Sequence, residues 1–204
     1  MQQKHEKKLD RRQIRTKGRI RDAFTALIME KNIEKITIKE LAQRADIDRK
    51  TFYLHYKSIF DVLTEIQDEF LGCVGQMVEE CELLTSSFDA LPLFRKINDL
   101  LNQNPAFYHR LAVSDQYGFF HDKLKACMKA FFNEKYSEHL AVSSVSPVKL
   151  NLYSEYVASG ITALYVEWLK HPEFDLEEVA EAASEISYGG GRAVIDSILN
   201  PTNR

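Results

Sequence analysis

The stretch from Thr37 to Lys57, TIKELAQRADIDRKTFYLHYK, limits the fold more than any other part of the chain. Thr37 is a good N-cap and Glu40 stands three residues later, so the two residues form a capping box that starts a helix. Asp46 interrupts the apolar pattern, and aspartate tolerates the left-handed conformation that a sharp turn between helices often needs. Asp48 can then cap a second helix. The stretch therefore predicts two short helices separated by a tight turn.

The second of these helices carries basic and hydroxyl side chains on a small apolar base. Phe52 and Tyr56 anchor it, and we assign Phe52 to the core, whereas Arg49 and Lys50 are left to face outward. A helix this short is marginal in water, so its neighbours must hold it in place. This layout is typical of a helix-turn-helix motif, whose second helix enters the major groove of DNA.

Several residues at fixed spacing make this stretch similar to the DNA-binding domain of the tetracycline-repressor (TetR/AcrR-like) family of transcription regulators. The matching residues are Thr37-Ile38, Leu41-Ala42, Thr51-Phe52-Tyr53, His55-Tyr56 and Lys57-Ser58. Two positions differ from the family pattern. Asp46 stands where the family usually carries glycine, and Ile59 stands where it usually carries a lysine that often faces the DNA backbone. The resemblance implies a homodimer and a body that binds a small-molecule effector, but it identifies no ligand.

Helical periodicity recurs along the chain and no strand shows convincing alternation, so we expect an all-α fold. We predict an N-terminal arm and a three-helix, helix-turn-helix DNA-binding domain over residues 1–57. A connecting helix follows over residues 58–81, with a capping box at its start and an apolar stripe that includes Phe60. A C-terminal helical bundle for effector binding and dimerisation takes up residues 82–204.

Two features of this bundle carry specific expectations. The helix predicted over residues 148–170 is apolar over most of its circumference, which predicts burial on more than one side. Apolar surface beyond the need of one body suggests that this helix and the next, over 176–199, form a dimer interface. The glycines at 189–191 are expected to interrupt the second of these helices, because glycine is a poor helix former.

Charge is distributed unevenly along the chain, whose formal net charge is -3. Up to Lys57 there are 16 lysine and arginine residues against eight acidic ones, and the remainder has 11 basic against 22 acidic residues. A basic head suits a polyanion, whereas the acidic body would be repelled by the same polyanion. Residues 1 to 12 read as a flexible basic arm that contacts phosphates or serves only as a leader.

Other functional classes find little support in the sequence. No apolar run is long enough to span a membrane and the N-terminus is not a secretory signal, so we expect a cytoplasmic protein. The six histidines lack zinc-type spacing and no catalytic or nucleotide-binding motif occurs, so we predict no metal, cofactor or catalytic residue and no enzyme. Cys73, Cys81 and Cys127 are read as buried reduced thiols, with a redox-sensing thiol as the alternative.

The expected DNA contacts fall into two groups. Base edges are assigned to Lys39, Arg49, Lys50, Thr51 and His55. Phosphates are assigned to Arg15, Thr37, Tyr53, Tyr56 and Lys57. The bland alternative for Lys39 and Arg49 is simple solvent exposure.

Aromatic residues of the body support two readings, plain core packing or the lining of an effector cavity. The candidate lining residues are Phe107, Tyr108, Phe119, Phe120, Tyr156, Tyr165 and Trp168. The function expected from all these features is a repressor that binds an operator in double-stranded DNA as a homodimer and is released by an effector. The alternative is a helical co-regulator that keeps the fold but acts through protein contacts without specific DNA binding.

Overall fold

The computed structural model describes residues 11–80, 89–113, 118–140, 146–171 and 173–199 of the 204-residue chain. The chain packs as two compact units, Met1–Asp68 and Glu69–Arg204. Within the described residues the regular structure is helical, as the periodicity predicts. The α-helices are α1 Arg11–Glu30, α2 Ile38–Arg44, α3 Arg49–Tyr53, α4 Ile59–Glu79, α5 Leu91–Leu101, α6 Pro105–Val113, α7 Gly118–Leu140, α8 Pro147–Lys170 and α9 Leu176–Leu199.

The first unit is a small bundle around a continuous apolar core. Helix α1 contributes one apolar face whose residues recur at helical spacing, namely Ile20, Ala23, Phe24, Leu27 and Ile28. A short 3-10 turn, Ile33–Lys35, follows it and leads into α2. Leu41 and Phe52 are fully buried, so both helices of the predicted motif pack on this core. Burial of these apolar side chains is what holds the short α3 in place.

Helix α4 begins as predicted, but its first turns bury a different face. Ser58 Oγ accepts a hydrogen bond from the Asp61 N–H at 3.3 Å, and the Asp61 carboxylate accepts from the Ser58 N–H at 3.2 Å. These two bonds form the expected capping box. The prediction that Phe60 belongs to the buried stripe is wrong, because Ile59, Val62 and Leu63 are buried and Phe60, on the other side of the helix, is 54% exposed.

The second unit is held by a larger core that α5 to α9 build together with the end of α4. Phe94, Ile161 and Trp168 are among its buried residues. A buried polar link joins three of its helices: Tyr165 donates to Asn98 Oδ1 at 3.0 Å, and Asn98 Nδ2 donates to the Leu176 carbonyl at 2.7 Å. Burial raises the pKa of the Tyr165 phenol, so the hydroxyl remains a donor in this link.

Three predicted boundaries in this unit need correction. Helix α9 runs through Gly189–Gly191 without a break, so the prediction that these glycines interrupt it is wrong. Glycine costs about 1 kcal/mol per residue in a helix interior, a penalty that packing along the rest of a long helix can outweigh. The sequence pattern predicts a loop that includes Pro147, but Pro147 is the first residue of α8. It also predicts that the preceding helix ends near Tyr136, but α7 continues to Leu140.

Some expectations fall outside the described residues. They concern the arm at residues 1–10, Cys81, the break at Thr85-Ser86-Ser87, the start of α7 at residues 114–117, and the loop at 143–145. Among the described residues, no helix combines the length and apolarity that a membrane crossing requires.

Helix α8 differs from its predicted burial along one side. Its apolar residues Val148, Leu152 and Tyr156 are exposed by 60 to 69% in the single chain. These residues recur every four positions, so they form one stripe along the helix. Helix α8 nevertheless packs against α6, α7 and α9, so the expectation of burial on more than one side is confirmed, except along this stripe.

Candidate nucleic-acid interface

The turn between α2 and α3 adopts the backbone conformation that the sequence predicts. Asp46 has a φ of 50°, in the left-handed region, where glycine or aspartate is tolerated best. Arg19 Nη2 donates to the Asp46 carbonyl at 2.6 Å and to its carboxylate at 2.5 Å. Both bonds tie the turn to α1, and a glycine at this position would keep the bond to the carbonyl and lose the bond to the carboxylate.

Both helices of the motif are capped as predicted. The Thr37 hydroxyl accepts from the Glu40 N–H at 3.2 Å, and the Asp48 carboxylate accepts from the Thr51 N–H at 2.7 Å. A hydrogen bond from Lys31, together with the Thr37 backbone N–H, lowers the pKa of Glu40. The Thr51 N–H and hydroxyl lower the pKa of Asp48 in the same way. Both carboxylates are therefore charged at neutral pH and satisfy helix N-termini.

Most of the predicted base-edge residues lie on an outward face. Lys39 at the start of α2 and Arg49 and Lys50 at the start of α3 are exposed. Thr51 and His55 are half-buried, and the Thr51 hydroxyl donates to Asp48 at 3.1 Å. The exposed cations of α2 and α3 can thus approach a groove, whereas Thr51 is engaged in its own helix cap.

The His55 ring is neutral in this environment. Its pKa is lowered first by burial and then by the charge of Lys17, while Glu65 acts in the opposite direction. The ring is therefore uncharged at neutral pH and acts as a hydrogen-bonding group rather than as a cation.

Four of the five predicted phosphate contacts are accessible to DNA, and the fifth is buried. Arg15, Thr37 and Lys57 are exposed, and Tyr53 is 51% exposed. The structure contradicts the assignment of Tyr56, which is only 4% exposed and donates its hydroxyl to Glu65 Oε1 at 2.9 Å. The ring packs against Phe52, which agrees with the other role predicted for Tyr56, that of an anchor of α3.

A groove lies between the start of α1 and the turn of the motif. It is lined by Arg12, Arg15, Thr16, Arg19, Gln43, Asp46, Ile47, Asp48 and Thr51. Sequence reasoning missed the part that Arg12 plays in this lining, because it assigned residues 1 to 12 to the arm, whereas Arg12 lies in α1. The lining holds three arginines against Asp46 and Asp48, so its net charge is positive, the sign that a phosphate backbone attracts.

Ile59 lies at the position where the resemblance implies a lysine. It is buried at the first residue of α4 and packs as a core residue. The neighbouring Lys57 is exposed, so a cation is still present two residues earlier.

The second unit contains a small apolar cavity. Of the predicted aromatic residues, Tyr165 lines it; its other neighbours include Phe70, Ile97, His121 and Met128. Its volume is about 30 Å³, room for one or two water molecules. An effector larger than that requires the cavity to expand.

The other predicted lining residues lie elsewhere. Phe107 and Trp168 are buried core residues, Tyr108 packs against the core, and none of the three lines the cavity. Tyr156 does not line the cavity either, because it is 64% exposed and borders a surface groove between α8 and α9. The side chains of Phe119 and Phe120 lie outside the described residues.

The described part of the chain contains candidate metal ligands and two cysteines. No group of three or more metal-ligating side chains comes together there. Cys73 is exposed, which contradicts the expectation that it is buried, and Cys127 is half-buried. Burial raises the pKa of the Cys127 thiol, so it is a weaker nucleophile than an ordinary cysteine.

Comparison with known proteins matches both units to regulators. The family model described as bacterial regulatory proteins, tetR family, matches residues 20–66. A second TetR model, described as transcriptional regulator C-terminal region, matches residues 89–189. The uncharacterized HTH-type transcriptional regulator YxbF of Bacillus subtilis (strain 168) is 23% identical over 181 residues. That alignment covers 82% of this chain, but the chain spans only 44% of the length of YxbF.

Solved structures show the same fold. NalD, the secondary repressor of the MexAB-OprM multidrug efflux pump in Pseudomonas aeruginosa, is 19% identical with a TM-score of 0.63, covering 86% of this chain and 95% of NalD. The dihydroxyacetone kinase operon activator DhaS is 17% identical, also with a TM-score of 0.63, covering 87% of this chain and 97% of DhaS. The matched class consists of transcription regulators and not of enzymes. The capped helix-turn-helix unit and both family matches show that this chain belongs to the TetR family of transcription regulators.

Proposed function

We propose that the chain represses transcription by binding an operator in double-stranded DNA as a homodimer. The observation that carries this proposal is the outward presentation of Lys39, Arg49 and Lys50 on two capped helices beside a groove that contains three arginines. Arginine or lysine opposite guanine is the commonest base-specific contact, and the surrounding cations supply salt-dependent attraction to phosphates. A regulator of this kind works in the cytoplasm, where the DNA is.

The proposed dimer rests on the apolar stripe of α8. Val148, Leu152 and Tyr156 are exposed, and Ile186 of α9 is exposed by 47% beside the same groove. Large apolar side chains that are exposed along one stripe of a helix favour a protein interface. A two-fold axis also suits DNA recognition, because two copies of the motif then read half-sites about 34 Å apart.

The proposed effector would bind in the second unit. The apolar lining of the cavity favours an uncharged, apolar molecule, because a charged group there would lose its hydration without a partner. The cavity must enlarge to admit such a molecule. The effector would therefore shift the protein toward the conformation in which the cavity is larger.

The experiment that tests this function is a competition gel shift. The protein is titrated onto duplex DNA from upstream of its own gene and onto random duplex of equal length, at one salt concentration. We expect at least about 10³-fold tighter binding to the upstream fragment, the lower end for specific binders. Equal binding to both fragments would favour the alternative, a co-regulator that acts through protein contacts, for which the buried Ile59 is the supporting observation.

A further inference from the structure

Two side chains from separate elements of the first unit meet at a carboxylate on a third element. Tyr56, just beyond α3, donates its hydroxyl to Glu65 Oε1 at 2.9 Å. The Lys17 ammonium of α1 donates to Glu65 Oε2 and lies 5.3 Å from the centre of the Tyr56 ring. Both oxygens of a single α4 carboxylate are therefore engaged, one by α1 and one by the segment that follows α3. We call these three residues the Glu65 cluster.

The Glu65 cluster is more sheltered from water than another ion pair in the same unit. The side chains of Lys17 and Glu65 are 27% and 25% exposed, and Tyr56 is 4% exposed. Arg44 and Glu30 are paired at 2.5 Å, but their side chains are 40% and 52% exposed. Partial burial reduces screening, and hydrogen bonds to charged groups are stronger than neutral ones. The Glu65 cluster therefore stabilises the packing of α1, α4 and the segment after α3, whereas the exposed pair contributes little to stability.

The Glu65 cluster acts on α3 through Tyr56. The Tyr56 N–H donates to the Phe52 carbonyl at 3.0 Å, and the two rings pack with centroids 5.8 Å apart. Phe52 is the buried anchor of α3, a helix of five residues that cannot hold its own orientation. A displaced Tyr56 therefore changes the angle at which Arg49 and Lys50 leave the protein.

We propose that Glu65 is a positioning residue for DNA recognition, which fixes the orientation of α3 through the Tyr56 hydroxyl. This inference rests on the proposed DNA-binding function. Reading base edges requires close geometry, because supporting contacts must hold the reading side chains to within a fraction of an ångström. Attraction to phosphates tolerates a looser helix. Loss of the cluster should accordingly reduce specific binding while leaving non-specific binding intact.

The test compares Glu65→Gln with Glu30→Gln. Both substitutions remove one negative charge from the first unit, but only the first disturbs the Glu65 cluster. Affinities for the upstream fragment and for random duplex are measured at two salt concentrations. We expect Glu65→Gln to lower the ratio of specific to non-specific affinity about tenfold, the effect of one charge-assisted hydrogen bond. Glu30→Gln should leave the ratio within about twofold of the wild type, as for an exposed pair.

Tyr56→Phe gives the same test without a change of charge. It should lower the ratio as Glu65→Gln does and leave the salt dependence of non-specific binding unchanged. The double variant should lose less than the sum of the two single losses, because both substitutions disturb the hydrogen bond between Tyr56 and residue 65. Fully additive losses would overturn the proposed route through Tyr56.

Hydrogen exchange in the free protein tests the inference without DNA. Amides of residues 49–56 should exchange faster in Glu65→Gln than in Glu30→Gln, because α3 is held less firmly. Equal exchange in the two variants overturns the positioning role whatever the DNA result. If the wild type prefers its upstream fragment and Glu65→Gln keeps the ratio of Glu30→Gln, the positioning role fails while the proposed function stands. A wild type without any preference refutes the proposed function instead.

Discussion

Asp46 shows how one residue can satisfy a turn and add a contact to it. Its φ of 50° is a conformation that glycine adopts freely and alanine resists. We expect Asp46→Ala to lower the free energy of unfolding by roughly 1 kcal/mol, from the left-handed conformation. Asp46→Gly should stay within about 0.5 kcal/mol of the wild type, because the lost pair with Arg19 is exposed and weak.

Urea denaturation followed by circular dichroism measures both Asp46 variants. Asp22→Ala is the control, since it removes an exposed aspartate from the right-handed helix α1. Equal destabilisation by Asp46→Ala and Asp46→Gly would show that the contact with Arg19, and not the backbone conformation, dominates at this turn.

Local residues of the motif could be predicted from the sequence, and distant partners could not. The caps at Thr37 and Asp48 and the turn at Asp46 depend on neighbours within three positions, so the pattern alone identifies them. Tyr56 was misassigned because its partner Glu65 lies nine residues away on another helix. A match to a motif gives the residue type at such a position, but not the direction in which the packed core turns the side chain.

At the scale of the element, the start of α4 makes the first unit sensitive to acid. Asp61 accepts hydrogen bonds from the Ser58 hydroxyl at 2.9 Å and from the Lys57 N–H at 2.7 Å, and these bonds lower its pKa. A carboxyl whose pKa is lower in the folded state binds protons preferentially when unfolded. Its contribution to stability is therefore full above the ordinary aspartate pKa of about 3.9 and is lost as the pH falls through the lower folded value.

We expect Asp61→Asn to weaken this pH dependence. The wild type should lose stability as the pH falls from 5 to about 3, because carboxylates become protonated over this interval. The variant should lose less stability over the same interval. Urea midpoints at the two pH values give the comparison. Glu30→Gln is a suitable control, because it removes a carboxylate that caps no helix. Parallel curves for the wild type and Asp61→Asn would rule out the cap as a source of acid sensitivity.

The existence of the helices was predictable, but the faces that they bury were less so. Phe60 is as apolar as its neighbours, and only the packing around Ile59 and Val62 decides that it faces outward. The glycines of α9 illustrate the same limit, since a weak local preference yields to the rest of a 24-residue helix. Periodicity therefore locates an element more reliably than it selects between two apolar faces of that element.

At the scale of the whole molecule, the exposed stripe of α8 predicts the state of assembly. We expect a dimer by sedimentation velocity at micromolar concentration and a monomer for Tyr156→Glu, because a buried unpaired carboxylate is costly at an apolar interface. Met29→Glu is the matched control, since Met29 is a half-exposed apolar residue of the first unit. A wild-type monomer, or equal dissociation by both variants, would contradict an interface through this stripe.

The predictions for the second unit show why ligand sites resist sequence reasoning. Tyr165 and Tyr156 are nine residues apart on one helix, yet one lines the buried cavity and the other is exposed. The same aromatic side chain can pack in a core, line a cavity or form part of an interface. Only the arrangement of the neighbouring helices separates the three.

The most direct test of base reading by α3 compares Arg49→Ala with Lys57→Ala across a panel of operator variants and random duplex. Arg49→Ala should relax preference at one base pair and cost about 1–3 kcal/mol on the best site. Lys57→Ala should weaken binding to every sequence alike and reduce the salt slope by about 0.9. If both variants lower all affinities equally and leave base preference unchanged, α3 does not read base edges through Arg49.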